Sequence, residues 1–150
     1  MDKIRKQKVV VYAVKNDKLL VFRHIDFSYE EVGIQVPAGS VREGESFADA
    51  ALRELREETG FDCFEIVSEI GADTYDMSPY RAELQERHFF LAKPTAEIPE
   101  RWNSQEDHDG EQEPTRFECF WIPLTQAHVL QSAQSIYIGK LFVLLHTETI

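Results

Sequence analysis

Short runs of apolar and β-branched residues alternate with turn-like sequences along the first part of the chain. Two runs, Lys8 to Val14 and Lys18 to His24, are separated only by the sequence KND. Their composition and close spacing predict a β-hairpin. A third run, Gly33 to Gly39, predicts a short strand that Pro37 stops and the final glycine turns. The chain is therefore expected to begin as part of a sheet.

The pattern then changes to a helical period. Residues Ser46 to Thr59 repeat small and apolar side chains every three to four positions, and Gly60 follows as a C′ residue would. The apolar stripe consists of Ala48, Ala51, Leu52, Leu55 and Thr59. Glu54, Glu57 and Glu58 occupy a neighbouring arc. The helix is predicted to bury one flank and to present three carboxylates beside it, although like charges at this spacing are destabilising.

Later runs predict further strands and two C-terminal helices. The strands are expected over Cys63–Met77, Glu86–Lys93 and Thr115–Leu124, and the helices over Thr125–Gln131 and Ser135–Thr147. The last helix is expected to pack through Leu141, Leu144 and Leu145. Several strands, one central helix and C-terminal helices predict an α/β fold, with helices on the faces of a mixed sheet.

The segment from Pro94 to Pro114 departs from this pattern. It holds seven acids against one base and has no periodic apolar stripe. A loop of this length is usually functional or disordered. Two interpretations stay open, a solvated mobile connection and a lid that supplies a metal ligand. An EF-hand register centred on Gly110 would begin at Gln105 and end at Arg116, and neither residue fits that pattern.

Chain length, net charge and cysteine content limit the number of domains, the classes of partner and the cellular compartment to be considered. A chain of 150 residues predicts one domain over residues 1–150. A net charge of −11 argues against nucleic acid and anionic membranes as partners, whereas a small phosphate substrate remains open because divalent cations reverse a local field. The apolar runs are too short for a membrane helix, and the N-terminus lacks the features of a signal peptide. Cys63 and Cys119, without metal-like spacing, indicate a reducing cytoplasm and buried free thiols.

The three helical glutamates have a chemical explanation. Carboxylates gather where a divalent cation holds them, and oxygen-rich sites suit Mg²⁺ or Mn²⁺ together with substrate phosphates. Glu54, Glu57 and Glu58, next to a loop turned by Gly39, predict such a site. The competing interpretation for three glutamates alone is a solvated charged face of the helix.

The stretch from Gly39 to Phe61 favours the metal site, because it resembles the Nudix box, G-x₅-E-x₇-R-E-U-x-E-E-x-G-U, where U is a bulky apolar residue. The matching residues are Gly39, Glu45, Arg53, Glu54, Leu55, Glu57, Glu58, Gly60 and Phe61. Nine fixed positions within 23 residues make the match specific. Its one departure is an aromatic residue at the last position, where an aliphatic residue is commoner.

The resemblance implies the family's fold and reaction. Nudix enzymes have an α/β/α sandwich and hydrolyse a nucleoside diphosphate linked to another group, using Mg²⁺ or Mn²⁺. Carried over by position, Glu57 and Glu58 are the principal metal ligands. Glu54 would bind metal or help to activate water, and the backbone carbonyl of Ala38 would be a further ligand.

The resemblance also implies supporting roles. Arg53 and Glu45 match a pair that fixes the loop on the helix. The family often takes another acid from a late loop as ligand or base, and Glu111 and Glu113 are the candidates for that part. Arg23, at the end of the second strand, is a candidate for a phosphate contact, although a lone arginine there also suits a plain surface position.

Other residues and other function classes stay open. Trp102, Tyr80 and Phe27 could stack on a base or belong to the core, and His88 is expected to be a satisfied histidine of the sheet. The alternative to an enzyme is a non-catalytic nucleotide-binding Nudix domain with a regulatory role, and a weaker rival is a calcium-binding or interaction module. The substrate is undecided among nucleoside triphosphates, ADP-ribose and nucleotide sugars, and a homodimer is not excluded.

Overall fold

The computed structural model describes residues 2–146, where seven strands form one mixed sheet between two α-helices. The strands are β1 (Ile4–Lys15), β2 (Lys18–His24), β3 (Ala38–Ser40), β4 (Phe64–Asp76), β5 (Glu83–Pro94), β6 (Arg101–Glu106) and β7 (Thr115–Pro123). The helices are α1 (Phe47–Thr59) and α2 (Ile138–His146), with 3₁₀ turns at His108–Gly110 and Leu124–Val129. In this part of the chain no helix is long and apolar enough to span a bilayer.

The sheet opens between two of its central strands. The strand order is β4-β5-β1-β2-β7-β6, with β3 paired to β1 and only β1 and β5 parallel. β1 and β2 pair only beside their turn and then diverge. Residues 34–40 lie between them, since Phe22 N donates to Gln35 O at 2.8 Å and Val11 N donates to Pro37 O at 2.8 Å. This opening makes room for a cleft at the centre of the fold.

Both faces of the sheet are buried. The alternation in β1 sends Val9, Val11 and Ala13 toward α1, and it sends Val10, Tyr12 and Val14 toward α2. On α1, Ala50, Ala51 and Leu55 are fully buried. The small side chains at two of these positions allow the helix to approach the sheet closely. Strands covered on both faces by helices form the expected three-layer α/β arrangement.

The predicted hairpin, central helix and mixed α/β architecture are confirmed. Helix α1 begins after Ser46, whose hydroxyl accepts a hydrogen bond from Asp49 N at 3.1 Å. It ends at Gly60, which has a φ of 80° and donates its N–H to Arg56 O at 2.9 Å. A left-handed residue at this position favours glycine, because it has no Cβ. The boundaries of this helix agree with those predicted from its sequence.

The expectation of an unstructured connection over residues 94–114 is wrong, because this segment contains β6. Residues Arg101 to Glu106 pair antiparallel with β7. Trp102, Ser104 and Glu106 are half-buried, and the residues between them are exposed. The alternation is that of a strand, but two of its three inward residues are polar, so a search for apolar residues does not detect it.

The C-terminal region also differs from its prediction. The segment Thr125–Gln131 contributes to a 3₁₀ turn rather than to an α-helix. In α2, Leu141 is buried, whereas Leu144 is 41% exposed because the helix contacts the sheet along one narrow side. The predicted end of that helix, Thr147, lies outside the described residues. Cys63 and Cys119 are free thiols, as expected, although only the second is fully buried.

Candidate active site

Four glutamates converge where α1 meets the end of β6. One carboxylate oxygen from each of Glu54, Glu57 and Glu106 lies within 4.8 Å of the other two. Glu58, on the same helix, is buried and accepts a hydrogen bond from Ala38 N at 3.1 Å. The helical spacing places the three α1 residues on adjoining positions, and β6 supplies the fourth from another part of the chain.

The electrostatics of these carboxylates suit a cation. Burial raises the pKa of Glu58 well above its usual value, and the neighbouring Glu54 carboxylate raises it further. Burial likewise raises the pKa of Glu54 and of Glu106. Burial and mutual repulsion therefore destabilise the charged form of these carboxylates, and a divalent cation would offset both effects. An all-oxygen donor set of this kind fits Mg²⁺ or Mn²⁺.

Arg53 organises the acidic side chains. This residue is 7% exposed and donates to both carboxylate oxygens of Glu45, at 2.8 and 2.9 Å. It also donates to Ser40 O at 2.7 Å, to Glu54 Oε1 at 2.7 Å and to Glu57 Oε2 at 3.3 Å. The hydrogen bond from Arg53 lowers the pKa of Glu45 to about 2. One guanidinium thus joins the loop before α1 to two carboxylates of the site.

The prediction that Pro37 stops a strand and Gly39 turns the chain is wrong, because Gly39 lies inside β3 and pairs with Val9. Its lack of a side chain allows α1 to approach the sheet closely. A Cβ added to Gly39 would lie 2.1 Å from the carboxylate of Glu54, which is far inside van der Waals contact. Any larger residue would displace either β3 or the carboxylate. The Ala38 N–H bond to Glu58 lies beside this point and ties β3 to the same helix.

A cleft of about 650 Å³ opens next to the carboxylates. Four cationic side chains line it, those of Lys8, Arg42, Arg53 and Arg81. Arg42 pairs with Glu57 at 3.3 Å, whereas Lys8 is half-buried and burial lowers its pKa. The cleft also has aromatic and amide residues on its lining, namely Phe22, His24, Gln35, His108, Gln112, Phe117 and Gln134. Acidic, basic and apolar groups therefore face one space large enough for a small ligand.

The family follows from a match along most of the chain. A model of the NUDIX domain matches residues 5–139. The chain belongs to the NUDIX domain family. The resemblance carried by Gly39 to Phe61 is thereby confirmed.

Solved Nudix structures have the same fold. A UDP-X diphosphatase has 15% sequence identity and a TM-score of 0.65, over 99% of this chain and 65% of the other. A NUDIX hydrolase from Nitrosomonas europaea has 18% identity and a TM-score of 0.66, over 92% and 90% of the two chains. An ADP-ribose pyrophosphatase from Streptococcus suis has 16% identity and a TM-score of 0.61, over 95% and 91%. Among curated protein sequences, none matches this chain.

Glu106 is the residue of this Nudix site that sequence reasoning missed. It follows Trp102 and Ser104 at the two-residue period of β6. Trp102 Nε1 donates to Thr59 O at 2.8 Å, and the Ser104 hydroxyl donates to Glu58 O, so both residues dock β6 on the last turn of α1. The next inward residue of the strand is then Glu106. Only Trp102 is apolar among the inward residues of β6, so the sequence carries no alternation that reports Glu106, and strand register explains why this acid reaches the helix.

The other candidates of the late segment and the second strand lie elsewhere. Glu111 lines a neighbouring cleft of about 490 Å³, and Glu113 is exposed. Arg23 donates to Glu118 Oε1 at 2.7 Å and lies over the ring of Tyr29, 5.7 Å from its centre. These contacts do not test the functional roles suggested for the three residues, which stay predictions.

The aromatic candidates differ in what they contact. Trp102 packs edge-on against Phe61, with 5.2 Å between ring centres, so it belongs to the interior of the Nudix domain. Tyr80 is 85% exposed. Phe27 is 48% exposed and its ring centre lies 6.2 Å from that of His24, which lines the cleft. Phe27 is therefore the one of the three that lies next to a cleft residue through a ring contact.

His88 is a histidine of the sheet, as expected. Its Nδ1 lies 2.7 Å from Glu69 Oε1 and its Nε2 lies 2.8 Å from Glu86 Oε2. The ring also stacks on Phe47, with 3.8 Å between centres. Both ring nitrogens therefore have carboxylate partners.

Proposed function

We propose that this Nudix domain is a divalent-metal-dependent hydrolase that cleaves the pyrophosphate bond of a nucleoside diphosphate linked to another group. The observation that carries the proposal is the convergence of Glu54, Glu57 and Glu106 within 4.8 Å beside a cleft of about 650 Å³. Gathering carboxylates around one point is unfavourable without a cation, and Mg²⁺ sites commonly combine carboxylates with substrate phosphates.

The proposed metal ligands are the glutamates of α1 together with one from β6. Glu54, Glu57 and Glu58 supply the helical carboxylates, and the carbonyl of Ala38 remains a proposed further ligand. Glu106 is the proposed late acid, because its carboxylate already meets Glu54 and Glu57. Glu111 and Glu113 remain rival candidates for the late acid. A bound Mg²⁺ or Mn²⁺ supplies charge neutralisation and lowers the pKa of a coordinated water.

The remaining polar residues position the reacting groups. Arg53 holds Glu54 and Glu57 through direct hydrogen bonds and holds the preceding loop through Glu45. Lys8 and Arg81 line the cleft as cations, and neither forms an ion pair within the described residues 2–146. Phosphoryl transfer depends mainly on positioning and on charge stabilisation, so cations facing a diphosphate suit this reaction.

The proposed substrates are small nucleotide derivatives. The names of two structures with the same fold refer to UDP-X and to ADP-ribose, so both compound classes belong among the substrates to be tested. The net charge of −11 supports a small ligand over a nucleic acid polymer or a membrane surface. The two unpaired cations of the cleft would offset this charge locally.

The alternative is a Nudix domain that binds a nucleotide without hydrolysing it and regulates a partner. The complete set of box glutamates argues against it, because a binding module has no need of a buried and mutually repelling carboxylate group. One measurement distinguishes the two functions: a hydrolase turns over a nucleotide that it binds, whereas a regulatory domain binds the nucleotide without turnover.

The test is a Mg²⁺-dependent hydrolysis screen over nucleoside triphosphates, nucleotide sugars, ADP-ribose, dinucleoside polyphosphates and coenzymes. We expect turnover of at least one class, stopped by a chelator and restored by Mg²⁺ or Mn²⁺. A nucleotide that binds tightly while no member of the panel is hydrolysed would favour the regulatory alternative. Release of products without any divalent ion would contradict the metal dependence.

A further inference from the structure

Both carboxylate oxygens of Glu57 face guanidinium groups. Arg42 donates to Glu57 Oε1 at 3.3 Å, and Arg53 donates to Glu57 Oε2 at 3.3 Å. Glu57 is also one of the three residues whose carboxylates lie within 4.8 Å of one another. A divalent cation and a guanidinium compete for the same carboxylate charge, since two positive charges repel each other at this range. A cation bound at this point therefore competes with one of the two arginines.

The two arginines differ in how firmly they are held. Arg53 is buried, and it also donates to two other glutamates and to a backbone carbonyl. The Arg42 side chain is 56% exposed, and within residues 2–146 its guanidinium has no hydrogen bond besides the one to Glu57. An exposed ion pair contributes little to stability, so its loss costs little. Arg42 is therefore the arginine that a cation displaces.

The backbone of Arg42 is fixed although its side chain is exposed. Arg42 N donates to Glu45 Oε1 at 3.0 Å, and Glu45 N donates to Arg42 O at 3.0 Å. Glu45 is held in turn by Arg53. Arg42 occupies one of the five unconstrained positions between Gly39 and Glu45, so the pattern of the box assigns it no role. Its guanidinium can change partner by side-chain rotation alone.

A second carboxylate lies close to the same nitrogen of Arg42. Arg42 Nη2 is 3.3 Å from Glu57 Oε1 and 3.9 Å from Asp109 Oδ2. Within the described part of the chain, the exposed Asp109 side chain has no other ion pair and no hydrogen bond. A guanidinium that is repelled from Glu57 therefore has another partner within reach.

The turn that carries Asp109 has an unusual backbone conformation. His108 and Asp109 have φ values of 52° and 54°, in the left-handed region that residues with a Cβ disfavour. His108 Nε2 lies 2.7 Å from Thr115 Oγ1, which ties the turn to β7. Such conformations persist only where the surroundings hold them, and they recur at functional sites. The Asp109 carboxylate is thereby kept near Arg42.

We propose that Arg42 is an exchangeable counterion of the cation site, which neutralises Glu57 until a divalent cation binds and then transfers to Asp109. Cation binding is thereby coupled to the 3₁₀ turn, whose residues His108 and Asp109 line the neighbouring cleft of about 490 Å³. The coupling is reciprocal, so the contact of Arg42 with Asp109 also favours the cation-bound state. The inference rests on the proposed function, because it concerns the regulation of the proposed metal site.

The first test compares Mn²⁺ dissociation constants, measured by electron paramagnetic resonance, in two arginine variants. Arg42→Gln should bind Mn²⁺ about threefold more tightly than wild type, because the competing charge is gone. Arg56→Gln is the matched control for charge alone, since Arg56 is exposed, lines the neighbouring cleft and forms no ion pair within residues 2–146. It should tighten binding less. Damage to the fold would weaken binding and cannot imitate the expected result. Equal affinities of the two variants, or weaker binding in Arg42→Gln, would overturn the inference.

A double-mutant cycle tests the transfer to Asp109. Asp109→Asn should weaken Mn²⁺ binding when Arg42 is present, because the arginine loses its second partner and stays on Glu57. In the Arg42→Gln background this effect should shrink. Asp107→Asn, the same change at an exposed acid of the same cleft, should have one effect in both backgrounds. An effect of Asp109→Asn that does not depend on Arg42 would show that no transfer occurs.

Turnover of the same preparations separates this inference from the proposed function. If Arg42→Gln tightens Mn²⁺ binding more than Arg56→Gln does, while no nucleotide is hydrolysed, the hydrolase proposal fails and the exchangeable counterion stands. If Mg²⁺-dependent hydrolysis is observed and the two arginine variants bind Mn²⁺ equally, the counterion inference alone is wrong.

Discussion

Two acidic regions of this molecule, the Nudix box and the segment of residues 94–114, contribute to one site in different ways. In the box, the carboxylates lie within one helix and are organised by Arg53 and Gly39 over short distances in sequence. In the other segment, Glu106 reaches the site because β6 docks on α1 and pairs with β7. The comparison shows that a local motif can be read from spacing, whereas an acid delivered by a strand depends on its register.

The largest effect is expected from a change inside the box. Glu57→Gln should lower Mg²⁺-dependent turnover by on the order of 10²–10³, because a charge-stabilising group of the transition state is lost. The thermal unfolding temperature should be maintained or raised, since one of the repelling carboxylates is neutralised. Steady-state kinetics and calorimetry on the same preparation provide the two measurements.

The control for that variant is Glu43→Gln, which removes an exposed acid from the loop before α1. It should retain wild-type turnover. Near wild-type activity in Glu57→Gln would remove Glu57 from the metal site and would weaken the proposed role of the box.

The close approach of β3 to α1 at Gly39 provides the next test. Gly39→Ala should lower turnover by on the order of 10², because the added Cβ would lie 2.1 Å from the Glu54 carboxylate and must displace it. The melting temperature should fall as well. Gly139→Ala is the matched comparison and should keep wild-type turnover, because a Cβ there contacts nothing within 4 Å. A Gly39→Ala enzyme that keeps full activity would show that the position of Glu54 is not critical.

The box was predictable because its constraints are local. The N-terminal Ser46, the C-terminal Gly60 and the helical spacing of the glutamates together define α1 and its acidic arc. Glu106 was not predictable in the same way, because polar residues occupy two of the three inward positions of β6. Gln35 and Gln134 reach the same cleft because Val36 N donates to Gln134 Oε1 across distant segments, and no sequence spacing reports this contact.

A smaller effect is expected from the pair that joins the loop to the helix. The Arg53 hydrogen bond lowers the Glu45 pKa from 4.5 to about 2, so the folded state favours the charged form. This contribution to stability is complete above about pH 5 and is lost as the pH falls through the folded value. Wild type should therefore melt about 2–4 °C above Glu45→Gln at neutral pH, and the difference should narrow toward pH 3.

Melting curves of both proteins across this range measure the effect, with Glu43→Gln as the exposed control. A difference between wild type and Glu45→Gln that widens on acidification would show that the pair does not hold the loop through the charged carboxylate.

The most direct test of the account is Mn²⁺ binding, followed by electron paramagnetic resonance, in wild type, Glu106→Gln and Glu113→Gln. The central claim is that the box carboxylates and Glu106, which lie within 4.8 Å of one another, hold one divalent-cation site. We predict that Glu106→Gln weakens Mn²⁺ binding by about tenfold or more, about 1.4 kcal/mol, because a charged oxygen ligand is replaced by a neutral one. Glu113→Gln should bind as wild type does. Unchanged binding in Glu106→Gln together with weakened binding in Glu113→Gln would contradict the account and would restore the exposed acid as the late ligand.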